Sequence, residues 1–168
     1  MLADGLKSIP SDHEGSALVE GAVLMPLLLV LVFGVYEFSW FFYQQHVAAI
    51  GVRDAARYLA RVGKPCDVDS PVWAIEQLRA KDLATTGSIG GGAPRIKSWS
   101  SSMVALHCTP ISNPIGSTGS SAYRGGQIVY VITASSRFTD PSLGFFSFLR
   151  LEPPTISVSH SERSIGHG

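Results

Sequence analysis

Charged side chains are scarce in this sequence, and neither sign is in excess. Only 15% of the residues are charged, and 13 Lys and Arg side chains balance 13 Asp and Glu side chains. A chain without net charge has no long-range attraction for nucleic acid, and no basic-aromatic patch offers a local one. The composition therefore argues against a nucleic-acid-binding protein.

The sequence also lacks a recognisable catalytic or metal-binding motif. It contains no G-x-S-x-G, and the Gly-rich residues 87–94 lack the Lys-Ser/Thr of a phosphate-binding loop. The 5 histidines are scattered, without zinc-ligand spacing to one another or to a cysteine. Even His107 and Cys108, as neighbours in a strand, would point to opposite faces. We therefore expect no enzyme, no cofactor and no metal.

Cysteine is rare, with Cys66 and Cys108 making up the total of 2. An oxidising compartment permits one disulfide between them. Closing that loop would stabilise the fold by about 4 kcal/mol in the chain-entropy description. Two buried free thiols are the alternative.

Apolar residues, in contrast, are concentrated in one long run. Residues 17–43 carry Glu20 and Glu37 as their only charged side chains, both near the ends of the run. A helix needs about 20 mostly apolar residues to cross the hydrocarbon of a bilayer. Trp40 and Tyr43 lie at the far end, where amphipathic rings favour the headgroup level. The run predicts a membrane-spanning helix over residues 17–43, with a kink at Pro26.

The helical pattern continues beyond this run as an amphipathic segment. Arg53, Arg57 and Arg61 recur every four residues on one face, and apolar residues occupy another. Gly63 and Pro65 then form a stop signal. We expect one helix over residues 16–63. The arginine stripe is either a solvated face or a site for lipid headgroups or an acidic partner.

Residues 64–168 are richer in Ser, Gly and Pro and predict a small domain outside the membrane segment. Ser70 and Pro71 are typical of the start of a second helix, which ends near Gly87. Its predicted apolar face comprises Val72, Ile75, Leu78 and Leu83. Strand patterns cover residues 96–109, 127–138 and 155–161, and the second, apolar on both faces, suits a central strand. Between the last two, Phe145, Phe146 and Phe148 are expected in the core rather than on a partner surface.

The predicted fold is therefore α+β, with a long N-terminal transmembrane and amphipathic helix packed on a small antiparallel sheet. Residues 1–15 are a short polar leader or cytoplasmic stub, unlike a conventional signal peptide. The positive charges that flank the apolar run would place the C-terminal domain in the cytoplasm. The cysteine pair favours the opposite orientation, and we expect the domain to be extracytoplasmic.

The N-terminal half carries a family pattern. It begins Gly15-Ser16-Ala-Leu-Val-Glu20, has Pro26 inside the apolar run, and continues with Phe-Gly-Val-Tyr-Glu37-Phe and Asp-Ala-Ala-Arg57. This pattern resembles the TadE-like family of tight-adherence (Flp) pilus assembly proteins. The start also resembles the processing site of type IV pilin-like proteins, in which a prepilin peptidase cuts after the glycine.

The resemblance implies a pseudopilin or minor pilin-like protein with a pilin-like fold. Cleavage between Gly15 and Ser16 would make Glu20 the fifth mature residue, able to neutralise the new terminal amine during assembly. The alternative reading of Glu20 is a carboxylate stabilised by the helix dipole at headgroup depth. Glu37 would reach the far interface or pair with a partner's cation.

The resemblance also implies the setting of the protein. It would be a single-pass inner-membrane protein with a cytoplasmic N-terminus and a periplasmic domain. Its partners would be the major pilin, sister pseudopilins, the inner-membrane pilus platform, the prepilin peptidase and membrane lipid. Because the family often has a basic residue before the glycine and this chain has His13 and Glu14, an uncleaved membrane-anchored binding module is the alternative.

Overall fold

The computed structural model of the protein describes residues 13–63, 65–117, 119–123 and 126–165. The predicted leader, residues 1–15, lies for the most part outside these residues. In chain order the elements are α1 (His13–Leu59), α2 (Pro71–Thr86), β1 (Val104–Ser112), β2 (Ile128–Thr139), α3 (Gly144–Phe148) and β3 (Thr155–Arg163). The fold is α+β with a pilin-like arrangement, as the sequence predicts.

Helix α1 contributes to two compact units. The first unit ends at Phe38, and the second begins at Ser39. The first contains the greater part of the apolar run, and the helix is continuous through Pro26. The second contains the rest of α1 and all the other elements.

The three strands form one antiparallel sheet in the order β1-β2-β3. Strand β2 is the central strand, as its apolar residues on both faces predict. The register aligns Leu106, Ala134 and His160 across the sheet. In β3, buried Ile156 lies between exposed Thr155 and Ser157, which is the predicted alternation. One face of the sheet is therefore available to cover α1.

The second half of α1 packs against this face through small side chains. Its buried residues are Ala48, Val52, Ala55, Ala56 and Leu59, and they form one apolar cluster with side chains of all three strands. Trp99 and Phe138 stack within this cluster with their ring centroids 5.7 Å apart. The predicted packing of the long helix on the sheet is confirmed. The alanines let the helix backbone approach its neighbours closely, so the core is thin but dense.

Two predicted boundaries are wrong. The first strand begins at Val104 rather than at residue 96, because Ile96 and Trp99 reach the core from a turn, where Trp99 N–H donates to the Ile96 carbonyl at 3.0 Å. Helix α1 ends at Leu59, and the Val62 N–H donates to the Leu59 carbonyl at 3.2 Å. Such bonds between residues three apart tighten the last turn of a helix and end it.

Helix α2 begins and ends as predicted but turns the other face to the core. Ser70 is its N-cap residue, and Gly87 ends it in the left-handed conformation at a φ of 84°. The predicted apolar face is wrong, because Val72, Ile75 and Leu78 are exposed. The buried side chains are Trp73, Ala80, Ala84 and Thr85. One large ring and two small side chains let α2 lie close to α1, which three branched aliphatic side chains would prevent.

The phenylalanine cluster is only partly in the core. Leu143 is buried just before α3, and Phe145 and Phe146 are half-buried. Phe148 is 78% exposed, so its predicted place in the core is wrong. A helix as short as α3 has room to bury one side only.

Gly51 marks the closest approach of α1 to its neighbours. A Cβ atom there would lie 2.4 Å from the Ala84 carbonyl oxygen and 2.6 Å from the Trp99 ring. Replacing a helical Gly by Ala ordinarily stabilises a helix by about 1 kcal/mol. Here the added methyl group must push apart a backbone and a buried ring.

We therefore expect Gly51→Ala to destabilise the protein by about 1–3 kcal/mol, the usual cost of overpacking. Urea unfolding of the full chain in detergent micelles, followed by near-ultraviolet circular dichroism, measures the change. Gly144→Ala is the control, because a Cβ at Gly144 meets nothing within 4 Å. A Gly51→Ala variant as stable as the wild type would contradict this account of the packing.

Candidate functional site

The first candidate site is the surface of the apolar run on α1. None of the most apolar stretch of this helix is buried, and the helix is long and apolar enough to cross a membrane. Its exposed large side chains include Leu18, Val19, Val23, Leu27, Leu28, Leu31, Val35 and Phe42. An exposed apolar surface of this extent marks contact with a membrane or with other apolar surfaces. The run is thus consistent with a single membrane span.

The predicted assembly residues lie at two places on this helix. Glu20 is exposed near its start, and Glu37 is half-buried further along. The helical repeat separates them by about 25 Å along the axis and by about 100° around it. The structure therefore does not bring these carboxylates together. Gly15 and Ser16 lie in the first turns of α1, and their side chains are outside the described part.

Cys66 and Cys108 join the segment after α1 to strand β1. The structure pairs their sulfurs in a disulfide, with the Cα atoms 5.8 Å apart. Cys66 has a positive φ of 69°, and both residues pack against the apolar cluster. This link ties the end of α1 to the edge of the sheet.

The arginine stripe is a largely solvated face with one ionic contact. Arg57 lies 3.7 Å from Glu162 at half-exposed positions, and Arg53 and Arg61 are exposed. Ion pairs of this exposure stabilise little. Arg57 and Arg61 also line an open cleft of about 830 Å³ between α1 and α2.

A second polar contact joins α1 to α2 at this cleft. The Tyr58 hydroxyl donates to the Glu76 carboxylate, which also accepts from Arg79 at 2.8 Å. This hydrogen bond to Glu76, together with burial, raises the pKa of Tyr58. The contact holds the two helices together, and nothing in it suggests proton transfer.

The residues that sequence reasoning missed are Gln44 and Asp140. Gln44 is fully buried on α1, and its Nε2 donates to the Asp140 carboxylate just after β2. Asp140 also accepts the Ser142 hydroxyl at 2.6 Å and the Ser142 backbone N–H at 3.0 Å. The Asp-Pro-Ser sequence is a turn signal, but no pattern in the sequence brings it to Gln44.

These donors hold Asp140 ionised. Burial by itself would raise the pKa of the Asp140 carboxyl, but the hydrogen bonds from Ser142 and Gln44 outweigh it and lower the pKa below the ordinary value of 3.8. A carboxyl whose pKa is lower in the folded state stabilises the fold at pH values above its unfolded pKa. That stabilisation is lost as the pH falls through the folded value.

We therefore expect the wild-type protein to lose stability from about pH 4 downwards more steeply than Asp140→Asn. At pH 7 the variant should be less stable by about 1.5–3 kcal/mol, the usual value of a hydrogen bond to a charged group. Thermal unfolding of both proteins between pH 7 and pH 2.5 gives the comparison. Asp69→Asn, at an exposed position, is the control. Parallel pH profiles for wild type and Asp140→Asn would refute the assignment.

No group of three or more His, Cys, Asp or Glu side chains suited to a metal occurs among the described residues. His160 Nε2 lies 3.2 Å from the Glu162 carboxylate on strand β3. Two such ligands on one exposed strand do not form a metal site.

Together, a long helix with an exposed apolar half and a small sheet covering its other half define a pilin-like arrangement that is consistent with a single membrane span. The model of the TadE-like protein family matches residues 15–57. Residues 15–57 are therefore TadE-like, and the resemblance seen in the sequence is confirmed over this segment of α1. No curated protein and no solved structure matches the chain significantly. This match implies a Tad pilus assembly protein, a kind of protein that is generally not enzymatic.

Proposed function

We propose that the protein is a pseudopilin of a tight-adherence (Flp) pilus machine, which acts by helix packing rather than by chemistry. The observation that carries the proposal is the overlap of the family match with the exposed apolar surface of α1. The larger part of the matched segment, residues 17–43, is the part of α1 that this chain leaves mostly uncovered. Its natural occupants are lipid and the similar helices of pilins and sister pseudopilins.

In this proposal the helix is processed before it assembles. A prepilin peptidase at the cytoplasmic side of the inner membrane cuts between Gly15 and Ser16, and the C-terminal domain lies in the periplasm. The new amine of Ser16 then meets the carboxylate of Glu20 on its own or a neighbouring helix. A carboxylate exposed on an apolar helix is costly in lipid, and pairing with an ammonium group offsets that cost. The pairing would set the register in which α1 joins the assembly and contacts the inner-membrane platform.

The mature N-terminus tests the processing step. We expect intact-mass spectrometry of the protein extracted from the membranes of its native host to give a chain that starts at Ser16. Gly15→Leu should retain the leader, because the prepilin peptidase cuts after a glycine in type IV pilin-like proteins. A wild-type chain starting at Met1 would contradict the proposed processing and favour the alternative, an uncleaved membrane-anchored binding module.

The charge of Glu20 tests the assembly step. We expect Glu20→Gln to reduce surface pili at least about tenfold, since a charge-assisted hydrogen bond is worth about 1.5–3 kcal/mol. The membrane level and the mature N-terminus of the variant should not change. Glu152→Gln, at an exposed position outside α1, is the matched control. Normal piliation in Glu20→Gln would show that the Glu20 carboxylate interacts only with the N-terminal dipole of its own helix and is not needed for assembly.

A further inference from the structure

An exposed apolar patch lies in the connection between β2 and β3. It consists of Phe148, the last residue of α3, and of Leu149 and Leu151, and these residues are 78%, 40% and 55% exposed. We call these three residues the α3 patch. Single exposed apolar residues are ordinary on a protein surface, whereas several together mark a contact with another surface.

Contacts with α1 show at which end of the sheet the α3 patch lies. At one end, Asp140 follows β2 and accepts a hydrogen bond from Gln44. At the other end, the Ile165 N–H just after β3 donates to the Ala60 carbonyl at 3.1 Å. Gln44 and Ala60 are about 24 Å apart along a helix axis. The sheet therefore runs along α1, and the connection between β2 and β3 lies at the end where Gln44 is.

That end of the sheet is the one next to the apolar run. Gln44 directly follows residues 17–43, which are consistent with a membrane span. Ser142 lines a cavity together with Trp40 and Tyr43, two aromatic residues at the end of the run. Such rings favour the level of the lipid headgroups. Because α3 begins two residues after Ser142, the α3 patch lies close to this level.

Within this segment, Arg150 has an unusual backbone conformation. Its φ is 58°, in the left-handed region that favours glycine. The Arg150 N–H donates to the Ser147 carbonyl at 3.0 Å, and the Leu151 N–H donates to the Phe146 carbonyl at 2.8 Å. These two bonds form a Schellman motif, in which Arg150 occupies the position where glycine is usual. Glycine would end α3 with less strain, so the fold by itself does not account for an arginine here.

The charge of Arg150 is available to a partner. Arg150 is exposed and makes no ion pair with another described residue. Lys97 is a second exposed cation, and it lines the cavity beside Trp40 and Tyr43. Cations next to exposed apolar side chains are typical of segments that lie in a membrane interface. Lipid phosphates would pair with these cations, whereas an apolar helix of a partner protein would leave them unpaired.

We propose that the α3 patch inserts into the membrane interface, with its three apolar side chains at the boundary of the acyl chains and Arg150 at the lipid phosphates. This contact holds the end of the sheet against the membrane surface, in addition to the anchor that α1 provides. The proposal rests on the membrane span and is independent of the proposed pilus assembly.

The depth of a label at the α3 patch is the direct test. The full chain with Phe148→Cys is labelled with a nitroxide and reconstituted into vesicles of phosphatidylcholine and phosphatidylglycerol. The native cysteines are paired with each other, so only the added thiol reacts. The control is Ile115→Cys, at an exposed apolar residue near the opposite end of the sheet. We expect collisions with a water-soluble nickel reagent to be about tenfold rarer at 148 than at 115, the effect of burying one large apolar side chain.

Collisions with oxygen distinguish lipid from protein around the label. Oxygen concentrates in the acyl chains, so it should reach the label at 148 readily while the nickel reagent does not. Equal nickel collisions at the two labels would refute insertion. Low collision rates with both reagents, reversed when the protein is diluted in lipid, would also overturn the proposal and assign the α3 patch to a second copy of the chain.

Arg150→Gly separates the membrane contact from the fold. Because glycine suits the left-handed conformation, the unfolding temperature of this variant in micelles should be no lower than that of the wild type. In vesicles with phosphatidylglycerol, the ratio of inserted to uninserted label at 148 should fall about fivefold, the effect of one cation near an anionic surface. Arg61→Gln removes an exposed cation at the other end of the sheet and should leave the ratio unchanged.

Two results would contradict the role of Arg150. An unchanged ratio of inserted label in Arg150→Gly would refute the contact with phosphate. A lower unfolding temperature together with an unchanged ratio would show that the arginine stabilises the fold and does not bind lipid. In vesicles of phosphatidylcholine alone, the ratio should differ less between the variant and the wild type, because the surface carries no net charge.

Discussion

The structure depends on one helix that must satisfy two environments. Its first part buries none of its most apolar stretch within the chain, and its second part supplies the centre of the core. The change between the two is a change of side-chain size. Leu, Val and Phe dominate up to Phe42, and alanines at positions 48, 55 and 56 replace them where the core begins. Large side chains suit lipid, whereas small ones suit close packing on protein.

Because the core of the second unit is thin, buried polar groups do much to fix its geometry. The Trp99 indole donates to the Ser136 hydroxyl at 2.9 Å, and that hydroxyl donates to the Met103 carbonyl at 2.8 Å. The Gln44 amide ties α1 to Asp140 in the same way. Apolar packing allows small sliding movements, whereas these directional bonds allow one register only. The helix, the turn before β1 and the central strand are thereby locked together.

Local patterns in the sequence predicted most of the helices and strands. They failed where contacts between distant segments determine which side chains are buried or paired. The apolar run, the Ser70-Pro71 start of α2 and the alternation in β3 each depend on neighbours in sequence. The buried face of α2 does not, because Ala84 lies where Gly51 of α1 approaches it closely, and Ala80 is buried one turn away on the same face. Gln44 and Asp140, which pair with each other, are likewise far apart in the sequence. Of the candidate sites, the helix surface was therefore predictable, and the contact between Gln44 and Asp140 was not.

The positions of the two carboxylates constrain how α1 can be surrounded. A helix surface rotates by about 100° per residue, so the separation of Glu20 and Glu37 places them on different sides of α1. One neighbouring helix packed along one face therefore cannot meet both carboxylates. If each pairs with a cation, the two cations therefore lie on different sides of α1. A helix that has neighbours on several sides can meet both, whereas a helix with one neighbour along one face can meet only one of them.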